Sequence, residues 1–93
     1  MCIRDSYRAV AVPVLDQFRP QLLLISAGFD AHAQDPLAGL MLEDEDFAWV
    51  TSALAEVARR HAGGRIVSTL EGGYDLEALA RSAAAHVGAL MAA

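Results

Sequence analysis

Two short segments gather the residues that could do chemistry. Ser26-Ala27-Gly28-Phe29-Asp30-Ala31-His32 follows one apolar run, and Glu71-Gly72-Gly73-Tyr74-Asp75 follows another. A carboxylate such as Asp30 at a strand end can ligate a metal, act as a general base or cap its own loop. Asp30 and His32 stand two residues apart. In extended chain that spacing points two side chains the same way, which suits a two-ligand metal site as well as two separate roles. Tyr74 lies behind two glycines, and glycine permits close backbone approach and φ > 0. Such a tyrosine can hold its hydroxyl over a pocket.

These segments need elements to position them. Residues 7–18 carry Val10, Val14 and Phe18 at i, i+4 and i+8, with Val12 and Leu15 widening the stripe, and predict a helix. Pro13 inside it predicts a kink or restart, and Arg19-Pro20 ends it. Residues 21–26, Gln-Leu-Leu-Leu-Ile-Ser, are nearly all apolar and read as a strand buried on both faces of a parallel sheet. Residues 31–42 are irregular, with turn signals at Asp35-Pro36-Leu37 and Gly39. Phe47, Val50, Leu54, Val57 and His61 recur at helical spacing behind the acidic group of residues 43–46, which suits a helix N-terminus. Gly63-Gly64 stops that helix.

Residues 65–70 predict the second strand. Asp75 then caps a last helix with a stripe of Leu76, Leu79, Ala80, Ala83, Val87 and Leu90. The fold class is α/β in the order α-β-α-β-α, with a right-handed parallel crossover. Both strand ends then reach one sheet edge, where open parallel sheets gather function. Two parallel strands leave faces and edges uncovered, so the chain reads as part of a larger domain.

Bulk properties exclude several classes. Of 93 residues 55% are hydrophobic, enough to expect a packed core. Net charge is −5, all seven basic residues are arginine, and none gathers into a basic face, which argues against a nucleic-acid partner. The single cysteine excludes an internal disulfide and a multi-cysteine metal site. No apolar run approaches the ~20 residues that span a bilayer, so no membrane partner is expected. Residues 1–6 are polar and aperiodic. They read as a non-native or disordered leader without signal-peptide features, and the default location is the cytoplasm.

Three ordered stretches together carry a resemblance: residues 20–32, Pro-Gln-Leu-Leu-Leu-Ile-Ser-Ala-Gly-Phe-Asp-Ala-His; residues 35–40, Asp-Pro-Leu-Ala-Gly-Leu; and residues 70–76, Leu-Glu-Gly-Gly-Tyr-Asp-Leu. With matching intervals over residues 7–93, the chain resembles the C-terminal part of histone deacetylase superfamily proteins. The bacterial acetoin-utilisation and acetylpolyamine amidohydrolase branches are among them. Glutamate before the glycines looks more like class II than class I.

The resemblance implies the arginase/deacetylase three-layer α-β-α fold and a zinc-dependent hydrolase of N-acetyl amides. Asp30 matches one of two aspartate ligands of Zn2+. Tyr74 matches the tyrosine that hydrogen-bonds the acetyl carbonyl and then the oxyanion. Leu37 matches a residue lining the acyl-lysine tunnel, and Gly72 and Gly73 contribute backbone to its wall. His32 matches no ligand and falls to the rim. The implied substrate is an acetylated lysine or a small acetylated amine. The second aspartate, the zinc histidine and the paired histidines for proton transfer belong to the N-terminal part of the same domain. The isolated chain is therefore expected to be inactive. A non-catalytic remnant serving as an interaction module is the alternative. His61 and His86 match no family position and receive no role, Trp49 is expected to pack or lie half-exposed, and Ser26 either packs or donates a hydrogen bond near the site.

Overall fold

A computed structural model describes residues 3–29 and 42–93, the side chain of Ile3 excepted. The expected order is present: α1 (Ile3–Ser6), a π-helical segment (Tyr7–Ala11), α2 (Val12–Phe18), β1 (Leu23–Gly28), α3 (Asp44–His61), β2 (Ile66–Gly72) and α4 (Leu76–Ala92). Pro13 accounts for the N-terminal geometry. It lacks an N–H and crowds the carbonyl four residues back. The turn before it widens, and the Val12 N–H donates to Tyr7 O, five residues away. α2 ends where Arg19 adopts a left-handed φ of 57°.

Ile3–Ser6, read as a leader, are helical, and Arg4 Nε donates to Asp46 Oδ1 at 2.9 Å. The guanidinium carbons of Arg4 and Arg8 lie 5.6 and 5.1 Å from the Trp49 ring centroid, within cation–π range.

β1 and β2 pair in parallel, Leu23 opposite Ile66 through Ala27 opposite Leu70. Both run two residues beyond the spans read from sequence, because the ladder continues into the first glycine of each loop. α3 and α4 pack on one face of this pair. There Leu23 meets Ala58 and Ala62, with Leu15, Leu54 and Ile66 against them. Burying this apolar surface contributes about 25 cal/mol per Å².

Three expectations about faces need correction. The strand was expected to be buried on both sides, yet Leu24 is 69% exposed and its partner Val67 56% exposed, since among the described residues no helix covers that face. The Val10-Val14-Phe18 stripe faces outward, and Leu15 turns inward instead. On α4 the buried ridge is Ala78, Ser82 and His86, while Leu76 and Val87 are exposed. Small side chains let α4 approach its neighbours, and bulk is left outside.

The helix ends follow local chemistry. At the start of α3, the Glu43 N–H donates to Asp46 Oδ2 (2.9 Å) and the Asp46 N–H donates to Glu43 O (3.0 Å). This reciprocal pair closes the start of the helix. The Glu43 backbone, and after it Arg4, hold the Asp46 carboxyl below its ordinary pKa. Gly63 and Gly64, both at positive φ, stop α3 as expected. Asp16 ties α2 to the end of α3: Arg60 Nη2 donates to both its oxygens, at 2.8 and 3.0 Å, and His61 Nε2 lies 3.0 Å away.

Candidate functional site

The parallel register brings both C-terminal strand ends to one edge. Pairing is regular up to Ala27 and Leu70. Then Gly28 meets Gly72, leaving Glu71 as an extra residue on β2. Bulges of this kind bend a strand and re-aim the residues beyond it. The ladder closes with the Phe29 N–H donating to Gly72 O at 2.8 Å. The residue before Asp30 is thus bonded to the residue before Gly73-Tyr74.

Gly73 cannot readily be replaced. Its φ is +138°, and a Cβ there would stand 2.8 Å from Leu79 Cδ1 and 3.3 Å from Phe29 Cβ. On the far side of Tyr74, Asp75 caps α4 as expected: the Ala78 N–H donates to Asp75 Oδ1 at 2.9 Å, and the Leu79 N–H donates to Asp75 O at 2.8 Å. Tyr74 is therefore held between a glycine in a special conformation and a fixed helix start. Its side chain is 55% exposed at the sheet edge.

Gly72, Gly73 and Tyr74 follow one another at this edge. Asp30, His32 and Leu37 lie outside the described residues. Among the described residues, no group of three or more His, Cys, Asp or Glu side chains could hold a metal ion.

Sequence reasoning missed a buried polar cluster beneath this edge. Phe29 is 4% exposed and meets two rings edge-to-face: Phe47 (centroids 5.1 Å apart, planes at 70°) and His86 (5.8 Å, 64°). The Thr51 hydroxyl lies 2.7 Å from Phe47 O and 2.7 Å from His86 Nδ1, and Ser68 Oγ is 2.8 Å from His86 Nε2. Two oxygens 2.7 Å apart need a hydrogen between them, and only Thr51 carries one. The single Thr51 hydroxyl hydrogen goes to the Phe47 carbonyl, so Thr51 accepts from His86 Nδ1–H. Nε2 then accepts from the Ser68 hydroxyl. Burial, with no charged partner, pushes the His86 pKa down. The neutral form therefore prevails.

The available signal was Ala78-Ser82-His86 at i, i+4 and i+8, a small polar ridge that a hydrophobicity stripe passes over. A cavity of about 280 Å³ adjoins the cluster, lined among others by Ile25, Phe29, Phe47 and Leu54, with Thr51 and His86 in its wall.

Comparison with known proteins agrees with this architecture. The model of the histone deacetylase domain matches residues 3–90. Type-2 histone deacetylase 1 of Dictyostelium discoideum is 45% identical over 82 residues, which is 88% of this chain and 6% of that protein. The histone deacetylase-like amidohydrolase of Pseudomonas aeruginosa is 48% identical over 70 residues, 75% of this chain and 18% of that protein. Among solved structures, the HDA15 HD domain superposes with a TM-score of 0.85 at 32% identity, covering 94% of this chain and 24% of that one. The histone deacetylase Clr3 gives 0.84 at 32% identity, covering 94% of this chain and 14% of that one. The chain thus spans a small part of the length of the relatives it matches. Its helices and parallel sheet are part of the arginase/deacetylase fold.

Proposed function

Since the chain belongs to the histone deacetylase family, we propose that it is the C-terminal part of a zinc-dependent deacetylase that hydrolyses N-acetyl amides. Acetyl-lysine and small acetylated amines are the substrate class. The observation that carries this reading is the Phe29–Gly72 hydrogen bond, which joins the residue before Asp30 to the strand end that leads into Tyr74.

The roles follow from residue type. The Tyr74 hydroxyl donates to the acetyl carbonyl oxygen, and more strongly as that oxygen gains negative charge. Gly73 sets the course of the backbone into Tyr74, and Asp75 anchors its exit. Gly72 and Gly73 present backbone to the substrate, and Leu37 packs against its acyl chain. Zinc, when bound, supplies Lewis-acid polarisation of the amide carbonyl and acidifies water.

Asp30 offers one carboxylate donor, whereas catalytic zinc takes about three protein ligands. The donor set and the proton-transfer histidines then come from the N-terminal part of the same domain, and the isolated chain is inactive.

The test is a longer polypeptide in which family sequence upstream completes this segment. Tyr74→Phe should lower turnover about 10²–10³-fold while bound zinc stays the same. Unchanged turnover would sink the assignment. In the same assay the 93-residue chain alone should show no turnover.

A further inference from the structure

We infer that His86 is a positioning residue for Phe29, the residue that leads into Asp30. Phe29 is the last described residue before Asp30. Phe47 and His86 both meet its ring edge-to-face. Thr51 links these two residues, because its hydroxyl donates to Phe47 O and accepts from His86 Nδ1. One hydroxyl thus joins the two residues whose rings meet Phe29. Ser68 fixes the other end of the imidazole at 2.8 Å, and Ser68 sits opposite Ile25 in the ladder. One histidine therefore ties α3, α4 and β2 to the last residue of the β1 ladder.

A purely hydrophobic residue at position 86 could fill the same space. It would leave the half-buried Ser68 hydroxyl without its acceptor and the buried Thr51 oxygen without its donor. Packing and hydrogen bonds behind a site are how sites keep their geometry. The inference rests on the deacetylase reading only for what Asp30 is for.

The experiment uses the 93-residue chain. In the wild type, long-range 15N–1H correlation spectra should show His86 as the Nδ1–H tautomer. An Nε2–H tautomer would overturn the inference. Amide exchange then separates positioning from general stability. Thr51→Val keeps the side-chain shape and removes the linking hydroxyl. It should speed exchange of the Phe29 N–H at least tenfold, with Ile25 and Ala27 unchanged. Thr51→Ser should restore the wild-type rate. His86→Leu should reproduce the Thr51→Val pattern where it folds. Equal acceleration along all of β1, or none at Phe29, would overturn the inference. These readouts do not depend on turnover, so they fail or hold separately from the Tyr74→Phe test of the deacetylase reading.

Discussion

The two faces of the β1–β2 sheet carry similar residues and meet different surroundings. On one face Leu23 and Ala27 are buried beneath α3 and α4. On the other, Leu24 and Val67 stand opposite each other and are mostly exposed. The covered face is finished in detail, with close-packed alanines, a fully hydrogen-bonded histidine and a glycine where no other residue fits. The bare face sets the apolar pair Leu24 and Val67 beside Ser26 and Thr69, without the contacts of a core. A parallel sheet requires layers on both sides. The contrast shows which packing this segment makes for itself and which it leaves to another layer.

The largest effect expected within the finished region is at Gly73. Gly73→Ala combines a φ of +138° with a Cβ 2.8 Å from Leu79 Cδ1. Strain of this kind costs about 1–3 kcal/mol, and displacement of Leu79 adds to it. Denaturant unfolding should show a loss at the upper end of that range. A loss below about 0.5 kcal/mol would mean that the edge is loosely built and the contrast between the faces overstated.

That position also shows what the sequence could convey. Gly72-Gly73-Tyr74-Asp75 was legible because special backbone requirements select glycine, and caps select aspartate, through local chemistry. The order of elements was legible for the same reason: apolar period, proline and glycine act within a few residues. The facing of α4 was not. Leu76 and Val87 look like core by hydrophobicity, yet Ala78, Ser82 and His86 are buried, because close approach to neighbouring elements selects small side chains. The His86 cluster depends on Thr51 and Ser68, which lie 35 and 18 residues away, and no local pattern announces such pairing. Asp30 and Leu37 were identified by motif alone and lie outside the described residues.

The next effect is on pH dependence. The folded-state pKa of His86 lies below its ordinary 6.5 because the ring is buried. On acidification the unfolded chain therefore takes up this proton first. The contribution of neutral His86 is complete above about pH 6.5 and declines as pH falls through the folded-state value. The carboxylates of Asp16 and Asp46 have lowered values too, from 3.8, so their share is lost only in stronger acid. Stability measured between pH 7 and pH 5 should fall for the wild type, and His86→Leu should flatten that slope. A wild type with no slope in this window would mean that His86 is as solvated in the folded chain as in the unfolded one.

A smaller gain is expected from repairing the finished face. Ser82 is fully buried, and among the described residues its Oγ has no hydrogen-bond partner. An unmet buried hydroxyl costs about 1–3 kcal/mol, and alanine also favours helix. Ser82→Ala should therefore raise stability by about 1 kcal/mol, read as a higher denaturant midpoint at constant slope. Destabilisation would reveal that the hydroxyl is satisfied within the fold.

The smallest effect is expected where the sheet is bare, and it tests the contrast most directly. Leu24→Thr and Val67→Thr keep strand-compatible side chains while removing apolar surface from a face that water already reaches. In the 93-residue chain each should change stability by no more than about 0.5 kcal/mol. In a longer polypeptide that supplies the missing layer, the same changes place a hydroxyl inside a core and should cost about 1–3 kcal/mol. Equal, small effects in both contexts would show that the bare face stays in water and that the domain is completed elsewhere. Large effects already in the short chain would show that the face is covered there, which self-association measured by light scattering would then have to explain.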